Sequence, residues 1–163
     1  MGEGVKIHSL LGEGLIIPEL VSRERDSALE EMVRQLKAAH KTTKDKDLFE
    51  KLIQRENLGS TAIGDGIAIP HCKLKEVESP LLALAVSRNG VHFEAPDGKA
   101  IHVFFLVVSS PDNPGQSLHL LAAIASLVRK AGSLQRRLLR ARSPGKILEI
   151  IRDEEEKIIK NLE

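Results

Sequence analysis

Arg55-Glu56-Asn57-Leu58-Gly59-Ser60-Thr61-Ala62-Ile63-Gly64-Asp65-Gly66-Ile67-Ala68-Ile69-Pro70-His71-Cys72-Lys73 is where chemically capable side chains gather in this chain. Arg55, Ser60, Thr61, His71 and Cys72 stand among three glycines and one proline. Ile67 to Pro70 reads as a short extended run, because the residue before a proline is pushed out of the helical region. His71 is therefore expected where a short strand ends. The segment Gly59 to Gly66 reads as a glycine-rich loop able to bring backbone N–H groups to an anion. An imidazole beside such a loop is a place to hold a phosphoryl group. Neutral imidazole is nucleophilic near pH 7, since its reference pKa is about 6.5. Such a site needs donors for the phosphoryl oxygens, an acceptor to orient the other ring nitrogen, and a face open to partners.

Working toward the N-terminus, a helix is expected to about Glu56, with Leu48, Phe49, Leu52 and Ile53 on its apolar face. Arg55 falls in its last turn, where a cation complements the helix end, and at the mouth of the glycine-rich segment, where a guanidinium suits phosphate. An earlier helix begins near Asp26 or Ser27, with Ser27-Ala28-Leu29-Glu30 written as a capping box. Ala28, Leu29, Met32, Val33 and Leu36 recur at helical spacing on it. Leu15-Ile16-Ile17-Pro18 is a strand only at a sheet edge, because Pro18 cannot donate to a ladder.

Toward the C-terminus, Pro80 to Arg88 reads as a buried strand, Asn89-Gly90 as a turn, and Val91 to Glu94 as a short strand. Pro96-Asp97-Gly98 signals another turn. Ile101 to Val108 is almost continuously apolar, as in a strand covered on both faces. A helix from about Gln116 to Lys130 carries His119 in its first turn, with Leu118, Leu121, Ile124, Leu127 and Val128 on the buried side. Ser133 caps a short basic helix to about Arg142. Ser143-Pro144 opens the last helix in the favoured order, fraying into the charged tail Asp153 to Lys157. Helices before, between and after strands predict an α/β fold, a small mixed sheet sandwiched between helices in three layers.

The chain's 163 residues, 42% of them hydrophobic, are enough for one domain, placed over 1–163 with its core at about 10–153. The core is expected to be aliphatic, as Trp and Tyr are absent and Phe appears four times. With 24 basic against 23 acidic residues, no global field recruits nucleic acid or an anionic membrane. One cysteine excludes an internal disulfide. No apolar run reaches the roughly 18 residues of a membrane span, and no secretory signal is evident. A cytoplasmic protein without membrane insertion is the expectation.

Competing chemistries are weaker. Cys72 beside His71 is a poor thiol–imidazole pair, because neighbours on an extended segment point to opposite sides. No His-x-x-x-His spacing or second cysteine supports a metal, and no cofactor is expected. A hydrolase using His71 as base lacks a nucleophile elbow or paired carboxylates. Arg129, Lys130, Arg136, Arg137, Arg140 and Arg142 make a basic stripe, readable as a docking module for nucleic acid or protein. Without aromatic side chains for stacking it reads better as a solvated face. His8, His40, His92 and His102 lack the loop context of His71 and are taken as surface or structural residues.

The run Arg55 to His71 resembles the type 2 IIA domains of the bacterial phosphoenolpyruvate-dependent phosphotransferase system, the fructose/mannitol/nitrogen-regulatory class. Asp97-Gly98-Lys99 before the apolar strand and His119-Leu120-Leu121 in the later helix extend the resemblance to about Leu10–Asp153. It implies that His71 is phosphorylated, on Nε2, by the phosphocarrier HPr. It further implies that His119 hydrogen-bonds the phosphoryl group and that Arg55, Ser60 and Thr61 line the pocket. The acceptor would be a IIB domain or a regulatory target protein, and the chain a transferase component rather than a turnover enzyme. The absence of an attached IIB or membrane segment favours a free-standing nitrogen-regulatory IIA. A separate IIA component of a sugar transporter is the alternative.

Overall fold

Ile101–Ser109 forms the strand (β6) on which the rest of the sheet is built. The computed structural model describes residues 6–162. In chain order the elements are α1 (Ile7–Leu10), a 3-10 turn (Glu13–Leu15), β1 (Ile16–Ile17), α2 (Arg25–Ala38), α3 (Asp45–Leu58), β2 (Ala62–Gly64), β3 (Ile67–Ala68), β4 (His71–Lys73), β5 (Leu81–Val91), β6, α4 (Pro114–Lys130), α5 (Leu134–Arg140) and α6 (Pro144–Leu162). The sheet runs β1-β5-β6-β3-β2, with β4 also pairing to β6. β5 is antiparallel to β6, while β3 and β4 lie parallel to it in succession. The sheet is therefore mixed, as the sequence predicts.

Alternation along β6 divides the interior. Val103, Phe105 and Val107 face the layer of α1, α4, α5 and α6; Phe104, Leu106 and Val108 face α2 and α3. Burying both faces explains why this strand reads as an unbroken apolar run. Phe104 meets Phe93 edge-on, with ring centroids 5.2 Å apart, a favoured aromatic geometry. The stripe Ala28, Leu29, Met32, Val33 and Leu36 is buried as its spacing requires. β1 is a two-residue edge strand that stops before Pro18.

Several local expectations are corrected. Asn89-Gly90 does not reverse the chain. It is a bulge inside one long β5, where Gly90 adopts φ 86° and its N–H donates to the Ser87 hydroxyl. The pairing shifts register there, so one strand replaces the expected two. The capping box is not formed: the Ser27 hydroxyl donates to the Glu24 carbonyl, and Glu31 instead accepts from the N–H groups of Val21 and Ser22. Ser133 makes no side-chain cap either, whereas Ser143 accepts from the Lys146 N–H. Leu118 lies outside the buried stripe of α4 at 65% exposure.

The charged tail Asp153–Lys157 does not fray, since α6 continues to Leu162 with Glu154 and Glu155 buried. Glu155 accepts from the N–H groups of Ile7 and His8 and pairs with His8 Nδ1, fastening α1 to α6. Glu154 is held by Arg137. Arg88 ties β5 to the end of α5 through the carbonyls of Leu139 and Ala141, and to Glu19 beyond β1.

Candidate functional site

His71 opens strand β4 rather than closing the one before it. The reason lies in Pro70: it has no N–H for the ladder, but its carbonyl accepts from Val107 N–H at 2.9 Å. Pairing to β6 thus resumes at His71, in register with Val107. The Gly59–Gly66 segment is not a bare loop. It contains β2, hairpinned against β3 through Asp65-Gly66, both at positive φ. A side chain at Gly66 would be strained at φ 73° and would push aside the amide end of Gln135 on α5.

The imidazole is half-buried and fixed at both nitrogens. Nδ1 lies 2.7 Å from the carbonyl oxygen of Ile69. A carbonyl only accepts, so Nδ1 carries the ring proton and Nε2 keeps its lone pair. Consistent with that tautomer, Arg55 Nε–H points at Nε2 from 3.4 Å, at the long end of hydrogen bonding. The same guanidinium donates from Nη1 to the Gly59 carbonyl at 2.8 Å, which holds it across the mouth of the site.

These groups border a cleft of about 390 Å³ between the last turns of α3, strand β4 and the first turn of α4. Lys51, Arg55 and Lys73 supply three cations to its lining, and among the described residues no carboxylate joins them. Lys51 lies one turn before Arg55 on α3, and Lys73 stands two residues beyond His71, on the same side of the strand. Such a cleft favours an anion over the ring. A larger cavity of about 800 Å³, between the β2–β3 hairpin and the α4–α5 turn, contains none of these residues and is separate from this chemistry.

Of the residues expected at the site, the structure joins His71 and Arg55. Ser60 Oγ accepts from the Ala62 N–H at 3.1 Å, so its own proton is still free to donate. Thr61 is buried, with its hydroxyl donated to Glu56 at 2.5 Å. His119 is exposed on α4 and does not line the cleft. The α4 residue that does is Ser117, 6% exposed. Two positions on a helix turn the side chain by about 200°, which takes His119 off Ser117's face. Sequence reading missed Ser117, although it sits in register with the buried residues Leu120, Ile124 and Leu127, a small hydroxyl in an apolar stripe. Lys51 and Lys73 were also missed, because a lone lysine carries no spacing signal.

Cys72 borders the same cleft but packs into the α2/α3 core. Burial pushes its thiol up to about 12 from the ordinary 9.0, the opposite of an activated nucleophile. His102 donates from Nδ1 to the Ser87 carbonyl, a structural role, as the pairing of His8 with Glu155 is. Within the basic stripe, Arg137 is spent on Glu154. Among the described residues, no group of three or more His, Cys, Asp or Glu is placed to hold a metal ion, and no helix is long and apolar enough to cross a membrane.

Comparison with known proteins gives a consistent set of relatives. The family described as "Phosphoenolpyruvate-dependent sugar phosphotransferase system, EIIA 2" matches residues 9–154. A nitrogen regulatory protein of Bradyrhizobium diazoefficiens is 36% identical over 124 residues, covering 76% of this chain and 80% of that protein. A fructose-specific EIIABC component of Bacillus subtilis is 33% identical over 147 residues; the match covers 90% of this chain but only 23% of that longer protein. Among solved structures, nitrogen regulatory protein IIA-Ntr of Neisseria meningitidis superposes with a TM-score of 0.78 at 28% identity, covering 89% of this chain and 98% of that one.

Proposed function

The chain belongs to the EIIA 2 family of the phosphoenolpyruvate-dependent sugar phosphotransferase system, and from that premise we propose that it is a phosphoryl carrier whose acceptor atom is Nε2 of His71. The observation that carries the reading is the ring's fixed tautomer: Nδ1 is committed to Ile69, leaving the Nε2 lone pair facing Arg55 in a cleft with three cations. The Nε2 lone pair attacks phosphorus on a phosphohistidine of an HPr-type carrier. The donor's P–N bond breaks and its ring keeps the electron pair. Nδ1 retains its proton against Ile69, so the phosphorylated ring is cationic and leaves readily when the group moves on. Arg55, Lys51 and Lys73 neutralise the phosphoryl oxygens, with hydroxyl donation from Ser60 and Ser117. Thr61 acts from beneath, through Glu56.

Leu58, 85% exposed, lines this cleft, and Leu118, 65% exposed, follows its lining residue Ser117 on α4. An apolar rim around a cationic centre suits docking of a partner protein. His119, beside Leu118, belongs to this rim in our reading and serves onward transfer to a IIB domain or regulatory target. The identity to nitrogen regulatory proteins favours a regulator working through its phosphorylation state in the cytoplasm. The fructose-specific relative supports the second reading, a sugar-transporter IIA unit. Incubation with phosphoenolpyruvate, enzyme I and HPr should add one acid-labile, alkali-stable phosphate, absent from His71→Ala. Full labelling of that variant would refute the assignment. Pull-downs in both phosphorylation states separate the two readings, a IIB partner indicating transport.

A further inference from the structure

The last turn of α3 addresses both nitrogens of the His71 ring. Arg55 reaches Nε2 directly. The next residue, Glu56, is only 4% exposed, and its carboxylate accepts from Thr61 twice, from N–H at 2.9 Å and from the hydroxyl at 2.5 Å. Thr61 in turn offers its carbonyl to Ile69 N–H at 3.0 Å, and the Ile69 carbonyl accepts from His71 Nδ1–H at 2.7 Å. The Arg25 guanidinium acts on this carboxylate through its charge, but the hydrogen bonds Glu56 accepts among the described residues come from Thr61. A buried anion is costly to desolvate, and an acid near a helix C-terminus opposes the macrodipole.

We propose that Glu56 is a positioning residue for His71: through Thr61 and Ile69 it fixes where the Ile69 carbonyl points, and so keeps the ring proton on Nδ1 and the Nε2 lone pair toward the cleft. The carboxylate never touches the phosphoryl group. It holds Thr61, the residue leading into β2, and Thr61 holds Ile69, the residue leaving β3, whose carbonyl selects the tautomer. The proposal rests on the reading that Nε2 accepts the phosphoryl group, but tautomer selection is observable in the unphosphorylated protein.

The test combines ¹⁵N NMR of the His71 ring with the rate of phosphorylation by phospho-HPr, in wild type, Glu56→Gln, Glu56→Ala and Thr61→Val. Wild type is expected to show one tautomer, protonated at Nδ1. Gln can still accept from Thr61 N–H and can donate to the hydroxyl oxygen, so Glu56→Gln should keep that tautomer and a rate within about twofold. Glu56→Ala should show mixed tautomers and a rate lower by about tenfold or more, with the circular dichroism of a folded chain. Unchanged ring nitrogens and rate in folded Glu56→Ala overturn the proposal. If that variant does not fold, Thr61→Val decides: a shifted tautomer population supports the role, and an unshifted one refutes it. Mixed tautomers in variants of a protein that phospho-HPr never labels would leave Glu56 as the positioning residue and remove the phosphoryl-acceptor reading instead.

Discussion

Replacing Arg55 with alanine removes the guanidinium that faces the proposed acceptor atom. Its worth can be bounded from the structure. At an effective dielectric constant of about 20, two unit charges about 4 Å apart interact by about 4 kcal/mol. The site is open to solvent and Lys51 and Lys73 remain, so a charge-assisted hydrogen bond, about 1.5–3 kcal/mol, is the better measure. At about 1.4 kcal/mol per factor of ten, the rate of phosphoryl transfer to His71 should fall about 10- to 150-fold. Quench-flow measurement with phospho-HPr as donor reads this directly. The fold should be little affected, because the guanidinium's other bond, to the Gly59 carbonyl, is exposed. Arg55→Lys should recover only part of the rate, since an ammonium cannot span Gly59 and the phosphoryl oxygens together. Transfer to Arg55→Ala at the wild-type rate would refute the role assigned to this side chain, and with it the account of how the cleft holds its anion.

Two further outcomes are expected. Burial raises the Cys72 thiol from 9.0 to about 12, so the fold favours the neutral form; its contribution is complete below pH 9.0 and is lost as pH rises toward about 12. In denaturant titrations, wild type should lose about 1.4 kcal/mol per pH unit more than Cys72→Ala across that window, and equal pH profiles would contradict this. The buried Ser109 hydroxyl has no hydrogen-bond partner among the described residues, so Ser109→Ala should be neutral or stabilise by about 1 kcal/mol. A clear loss in thermal stability would show that the hydroxyl is used.

What the sequence disclosed and what it hid divide along the range of the forces involved. The apolar run of β6 and the stripe from Ala28 to Leu36 announce burial by their own periodicity, so the layered α/β arrangement was legible. His71 and Arg55 were legible because they flank one continuous segment. Ser117 was not, since its membership in the cleft depends on α4 docking against β6 beside β4, a matter of tertiary packing. Glu56 marked only the end of a helix, because its burial depends on the hairpin bringing Thr61 back over it. The Asn89-Gly90 bulge was misread for a similar reason: the dipeptide is written alike for a turn and for a bulge, and only pairing to β6 selects between them. Glu154 and Glu155 read as a frayed tail because local composition cannot show that Arg137 and α1 are waiting for them.

The junction of Glu155 with Ile7 and His8 joins residues 148 positions apart. Ile7 and His8 are the donors that this carboxylate has among the described residues. Truncation before Leu11 would thus strip a buried charge near the opposite terminus of its neutralising contacts, and a defect introduced at the front would be felt as loosening of α6 at the back. α1 and α6 are thereby fastened to one another, while the cleft at His71 draws its lining from α3, β4 and α4 in the middle of the chain.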